Sequence, residues 1–306
     1  MEHFQFIIIL LFSPLVNGVI KKLKANMQGR VGPGVLQPYY DLLRLFKKDM
    51  VVSSVTSWIF KATPYVVFTA TVAASMIVPV VSTSSTYSMM GDVIALIYLF
   101  ALARFFMALA GLDAGTGFGG EGSSREMTVA ILVEPMMMLA LFTAAISAGS
   151  TNIARIATAY STVYSPSHLL ALSAFVVAII AETGRVPVDN PDTHLELTMI
   201  HEGMVLEYSG RYLALMEWAH YIKQMVLFTI AVDIFFPVGM MQQGAGSATI
   251  ITAAAIYAAK MFVLATLMAL VESTRAKVRF FQLPSILGGA FVLAFLSLVT
   301  HIMLGK

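Results

Sequence analysis

The stretch "VIALIYLFALARFFMALAGL", residues 93–112, contains a single charged residue, Arg104. A helix needs about 20 apolar residues to cross a hydrocarbon core roughly 30 Å thick. The stretch therefore reads as a membrane span, and Arg104 inside it calls for a partner. The rest of the chain agrees. Of its 306 residues, 58% are hydrophobic and 12% charged, against roughly 45–50% and 25% in soluble domains. A soluble chain of this size would lack the polar surface to cover itself. The expected fold class is thus an all-α integral membrane protein. The short alternating strands of a transmembrane barrel are not seen in the sequence. No internal repeat is evident, which weighs against transporters built from repeats. With no cysteine, the chain itself offers no disulfide, haem thiolate, thiolate-bound zinc or iron–sulfur ligation.

Eight spans are expected, at residues 4–20, 62–82, 93–112, 127–148, 168–181, 211–236, 250–271 and 284–303. The first reads as a retained helix rather than a signal peptide, since Glu2 precedes it and its lysines follow it. Lys21, Lys22, Lys24, Arg30, Arg44, Lys47, Lys48 and Lys61 lie between spans one and two. Arg125 lies between three and four, Arg185 between five and six, and Arg275, Lys277 and Arg279 between seven and eight. All of these share one side, and the other keeps only Arg155 and Lys306. Positive residues stay cytoplasmic. The reading is a single polytopic domain, 1–306, multi-pass in the inner (cytoplasmic) membrane. Its cytoplasmic loops are near 21–61, 113–126, 182–210 and 272–283, and both termini point outward.

Several local patterns invite functional readings. In residues 30–49, Leu42, Leu43, Leu45 and Phe46 fall on one helical face with Arg44, Lys47 and Lys48 elsewhere, which suits a helix lying in the interface. "GTGFGG" (residues 115–120) matches a dinucleotide fingerprint in letters only. That fingerprint requires a preceding strand, whereas here an apolar span precedes it. A flexible or tightly packed turn is the expectation. His201 and Glu202 begin a zinc-protease pattern, but Val205 stands where the second histidine is needed. His194 and His201 are expected in surface or hydrogen-bonding roles. His168, His220 and His301 sit near span ends and offer no convincing axial pair for haem.

Ionisable residues inside the spans carry more weight. Glu134 lies in span four directly before Pro135. Glu217 lies in span six with Gln224 seven residues on, on the same face. Lys260 sits near the middle of span seven, Arg104 is in span three, and Glu182 ends span five. Lys223 and Asp233 lie further along span six. An unpaired charge at mid-bilayer costs at least about 2.5–3.5 kcal/mol. Two readings follow: static pairs between helices, such as Arg104 with Glu134, or a polar ion path of Glu134, Glu182, Glu217, Lys260, Arg104 and Gln224.

One segment breaks the apolar pattern. "AETGRVPVDNPDTHLELTMIHEGMVLEYSGR", residues 181–211, holds two prolines, two histidines, two arginines and six acids. Pro187 and Pro191 block a continuous helix, and Arg185 is expected to pair with Asp189 or Glu182. The segment resembles the signature loop of the NADH dehydrogenase subunit 1 family of respiratory complex I, through Ala181, Glu182, Thr183, Arg185, Pro187, Asp189, Pro191, Glu196, Leu197 and residues 207–210. "RVGPGVLQP" (30–38) resembles the family's segment after helix one. "SSREMTVAILVEP" (123–135) and "LALMEWAHY" (213–221) resemble its fourth and sixth helices, placing Glu134 and Glu217 at buried glutamates. Two departures are visible. His194 stands where quinone-reducing members have another acid, and the interval from Glu196 to Glu207 is longer. Residues 111–127 and 196–211 look more like the membrane subunit of nickel–iron hydrogenase complexes, the formate hydrogenlyase subunit 4 type.

The resemblance implies a membrane anchor and proton- or ion-translocating connector, without a catalytic residue, metal or redox cofactor of its own. Its implied partners are a soluble hydrogenase large subunit, an iron–sulfur small subunit, antiporter-like membrane subunits and membrane lipid, with no nucleic acid. Nickel–iron and iron–sulfur centres belong to those partners. The implied docking face, or quinone-like cavity, comprises Arg30, Gly32, Pro33, Arg125, Arg185, Pro187, Asp189, Asp192, Glu196, Glu202 and Glu207. A quinone-reactive subunit and a stand-alone secondary transporter are the alternatives.

Overall fold

A computed structural model describes residues 5–82, 91–158, 165–189, 199–240 and 247–304. The helices are α1 (Gln5–Met27), α2 (Gln37–Lys47), α3 (Trp58–Ile77), α4 (Val93–Asp113), α5 (Gly117–Ala148), α6 (Ile153–Thr158), α7 (Pro166–Glu182), α8 (His201–Val205), α9 (Gly210–Phe235), α10 (Ser247–Thr274) and α11 (Leu283–Leu304). Each of the eight expected spans contains a helix, in order α1, α3, α4, α5, α7, α9, α10 and α11, although α3 ends at Ile77, short of the expected 82. Six of them are long and apolar enough to cross a membrane. The shorter α7 has 17 residues, and α9 has 26 but carries charged side chains among its apolar ones. No strand occurs among the described residues; a single bridge joins Asp92 to Asn152.

Local chemistry sets the helix ends. Ser57, Asp92, Thr116 and Ser165 each accept a hydrogen bond from a backbone N–H in the first turn that follows, which satisfies a donor that the helix cannot. Asp113, at the end of α4, also accepts from the backbone N–H groups of Ser57 (2.8 Å) and Phe60 (3.3 Å), tying α3 to α4 as an antiparallel pair. Pro14, Pro64 and Pro135 lie inside α1, α3 and α5; neighbouring helices make such breaks tolerable in a membrane bundle.

The bundle is organised around α9. Every residue from Gln224 to Phe235 is buried, and the helix packs against α1, α2, α3, α6, α7 and α10. By contrast α10 and α11 expose apolar faces, including Phe262, Val263, Leu267 and Phe295, as lipid-facing helices do. In α2, Leu42, Leu45 and Phe46 pack on Ala214, Trp218 and Tyr221 of α9. Leu43, read from sequence onto the same face, points outward, because α9 covers only a narrow stripe.

The glycine stretch at 115–120 differs from the turn read in sequence. Thr116 caps α5, so residues 117–120 are already helical and α5 starts ten residues before the expected span (127 − 117 = 10). A Cβ on Gly119 would lie 2.3 Å from the Gly111 carbonyl oxygen of α4. Tight packing, rather than looseness, accounts for that glycine.

Tyr208, between α8 and α9, is buried and stacks on Phe60 with ring centroids 4.0 Å apart. Its hydroxyl donates to the Phe60 carbonyl at 2.9 Å. Burial holds the phenol well above its ordinary pKa, so it remains a donor across the physiological range.

Candidate functional site

Two charged networks meet at the end of α7, and a glycine turn separates them. Arg185 N–H donates to the Ile180 carbonyl at 3.0 Å and Gly184 N–H to the Ala181 carbonyl at 3.2 Å. With Gly184 at φ +54°, this is a Schellman cap, in which glycine takes the left-handed position that side chains resist. The cap ends α7 and reverses the chain between Glu182 and Arg185. The two side chains therefore enter different networks.

The first network surrounds Arg104 of α4. Its guanidinium is ion-paired with Glu134 of α5 and Glu182 of α7, and its Nε lies 3.3 Å from Glu126 of α5. Lys223 of α9 lies 2.6 Å from the second oxygen of Glu182. The Glu182 side chain is fully buried, whereas that of Glu134 is 35% exposed. Four helices thus share two cations and three carboxylates. The static pair of Arg104 with Glu134 is present, as one edge of this larger cluster.

The second network surrounds Arg185. It donates to Glu272 of α10 at 2.8 Å, and to Asn17 of α1 and Gln224 of α9, each at 2.7 Å. Lys24 of α1 reaches the other oxygen of Glu272 at 3.1 Å. Glu272, Asn17 and Gln224 hold Arg185, and not Glu182 or Asp189 as the sequence reading has it. The capping turn separates Arg185 from Glu182, and the Asp189 carboxylate is engaged by other groups.

Asp189 instead closes the neck of the polar loop. One carboxylate oxygen accepts from the backbone N–H groups of Ile200 (3.2 Å) and His201 (3.3 Å), and the other lies 2.6 Å from the Lys277 ammonium. The Pro187 carbonyl accepts from Val278 N–H at 3.0 Å. The loop is thereby fastened to the segment after α10.

Between these anchors lies a polar cavity of about 150 Å³, whose walls include Lys21, Arg185, His201, Glu202, Glu217 and His220. The rings of His201 and His220 stand 4.9 Å apart, centroid to centroid. His168 and His301 also meet, at 6.2 Å, across α7 and α11. The sequence reading foresees no such pairs, because the partners come from segments remote in the chain. Among the described residues no group of three or more His, Asp or Glu is placed to hold a metal ion.

A second, open cleft of about 460 Å³ is lined by Arg30, Gly32 and Pro33 together with Lys21, Lys24 and Asp41. Arg125 lies elsewhere: it pairs with Glu121 at 2.9 Å, donates to the Met199 carbonyl at 3.0 Å and sits over the Phe280 ring. Glu207 is exposed. Asp192, Glu196 and His194 lie outside the described residues. Of the ion-path set, Arg104, Glu134 and Glu182 come together, Gln224 and Glu217 gather about Arg185 and its cavity, and Lys260 stands apart, donating to the Phe236 carbonyl at 2.6 Å.

Sequence reasoning missed Glu272, Lys24, Asn17 and Glu126. Glu272 and Lys24 sit just past the apolar runs, where charges look like ordinary loop residues. Helix ends that extend beyond the apolar run would have been the signal.

A family model described as NADH dehydrogenase matches residues 1–304. Formate hydrogenlyase subunit 4 of Escherichia coli (strain K12) is 37% identical over 299 residues, covering 97% of this chain and 96% of that protein. Hydrogenase-4 component C of the same organism is 37% identical over 297 residues, 96% of this chain and 93% of that protein. A chain of the membrane-bound sulfane sulfur reductase, an archaeal respiratory membrane complex, superposes with a TM-score of 0.84 at 18% identity, over 96% of each chain. That likeness is one of fold.

Proposed function

The chain belongs to the NADH dehydrogenase family, and from that membership we propose that it anchors a complex I-like hydrogenase in the membrane and carries ions as its connector. The partners in this reading are a soluble hydrogenase large subunit, an iron–sulfur small subunit and antiporter-like membrane subunits. Redox chemistry belongs to them. The loop closed by Asp189 and the cleft at Arg30, Gly32 and Pro33 form the face on which the soluble arm docks. The acids in and around that loop pass ions toward Glu217 and the Arg104 cluster.

The observation that carries the ion path is the charge count at Arg104. Two cations, Arg104 and Lys223, face three carboxylates, Glu126, Glu134 and Glu182. One added proton makes the cluster neutral, and a charge left uncompensated in an apolar bundle is costly. Glu134, the most exposed of the three carboxylates, is where that proton enters. Glu134→Gln fixes the neutral count permanently while keeping the shape, so assembly should survive. Glu217→Gln removes one acid, that of α9, from the cavity beside Arg185. Proton uptake by vesicles containing either complex should fall to the passive leak. Hydrogen evolution from an artificial donor should persist, because the redox centres lie in other subunits. Undiminished uptake in both variants would leave the clusters as static pairing only.

The orientation belongs to the same reading, with both termini outside and the basic loops in the cytoplasm. Val31 is fully exposed in the first basic loop and Arg155 is exposed near the other face. Single cysteines stand out in a chain that has none. In intact cells an impermeant thiol reagent should modify Arg155→Cys and spare Val31→Cys. The reverse pattern would invert the topology.

A further inference from the structure

Asp233 belongs to neither network. It lies nine residues beyond Gln224 on α9, about 14 Å at roughly 1.5 Å per residue, on the side away from Arg185. It is 1% exposed, and its Oδ2 has no hydrogen-bond partner among the described residues. Lys260 of α10 is the cation that acts on it. Yet the Lys260 ammonium donates at 2.6 Å to the Phe236 carbonyl, at the C-terminal end of α9, where helix carbonyls carry partial negative charge. Tyr257, three residues before Lys260, feels the Asp233 charge, and its hydroxyl lies 2.7 Å from Thr229 Oγ1. Thr229 and Asp233 are one turn apart on α9. Four polar side chains thus meet where α9 and α10 pack, along an otherwise apolar stretch of α9. The acid lacks a bonded partner, and the nearby cation is held on a neutral carbonyl.

A buried carboxylate without an ion pair or a full set of donors is poorly tolerated, whereas the neutral acid is tolerated. We propose that Asp233 is the proton-carrying carboxyl of a second ion-exchange site within the membrane, and that Lys260 is its switchable counter-ion. When the Asp233 acid releases its proton, the carboxylate draws the Lys260 ammonium away from the Phe236 carbonyl. When it takes a proton back, Lys260 returns to that carbonyl. One proton is gained or lost per cycle, Lys260 keeps its charge, and no electrons move. Among the described residues, Lys260 and Tyr257 are the titratable groups coupled to Asp233, both from α10. The site continues the route of Glu134 and Glu217 past the Arg185 layer, and for its part in transport it rests on that reading. Its protonation does not.

The test is infrared difference spectroscopy on the purified complex, titrated with pH. Wild type should show a carboxylic C=O band that Asp233→Asn lacks and Asp233→Glu restores at a shifted frequency. In Lys260→Met, which keeps an apolar stem, the band should persist to higher pH, since the cation that favours the carboxylate is gone. Identical carboxylic bands in wild type and Asp233→Asn at every pH would overturn the proton-carrying role. An unmoved midpoint in Lys260→Met would overturn the counter-ion role. Glu134→Gln and Glu217→Gln should leave the Asp233 band in place, so loss of this site and loss of the ion-path reading are told apart.

Discussion

Arg104→Met is expected to destabilise the bundle by about 3–5 kcal/mol, the range for a buried ion pair broken at one end. Methionine fills the space of the arginine stem, so the loss is electrostatic rather than a cavity. It leaves Glu126, Glu134 and Glu182 with Lys223 as the one remaining cation of the cluster. Glu182, whose side chain is fully buried, makes no contact with solvent. The double variant Arg104→Met, Glu182→Gln should recover part of the loss, because replacing both members of a buried pair is far less harmful than removing one. Thermal unfolding of the purified complex in detergent, measured for the two variants side by side, checks both statements. A single variant as stable as wild type would show that the cluster is hydrated enough to dispense with its arginine.

Gly119→Val should rank next. Its first side-chain atom would sit 2.3 Å from a backbone oxygen, that of Gly111, and no rotamer change relieves that contact. The α4–α5 pair has to separate. Those two helices hold Arg104 on one side and Glu126 with Glu134 on the other, so the separation also stretches the ion pairs. Overpacking typically costs about 1–3 kcal/mol and sometimes more; a backbone obstacle puts this site at or above the top of that range. Gly120 is a neighbouring control, since a Cβ there meets nothing within 4 Å. Gly120→Val should change the yield of folded protein little, whereas Gly119→Val should lower it severely. Equal yields would contradict the tight crossing.

The spans were legible in the sequence because the bilayer imposes a length and a composition on each one. Positions such as Arg104 and Glu134 were legible as anomalies within those spans. What escaped were the partners that come from beyond the apolar runs. Glu272 follows the seventh expected span by one residue, yet its side chain is 2% exposed and binds Arg185. Hydropathy cannot separate such a residue from a solvated loop, since the helix continues past the apolar run. The pairing of Arg185 failed for a different reason. Neighbours in sequence look like natural partners, but a left-handed glycine at 184 turns the chain between Glu182 and Arg185, and Asp189 is taken up by Ile200, His201 and Lys277. Asp233 was visible as a charge in span six, but nothing local in the sequence marks its lack of a bonded partner.

The fastening at Asp189 has a consequence in polymer terms. Its carboxylate holds Ile200 and His201 on one side and Lys277 on the other, so the two ends of the intervening segment are tied at one point. The free energy of closing such a loop grows only with the logarithm of its length, about 0.6 kcal/mol for each doubling. Residues can therefore be gained or lost between the two ends of the neck without loosening the helices beneath. The bundle fixes where the loop begins and ends, and leaves its length nearly free of energetic constraint.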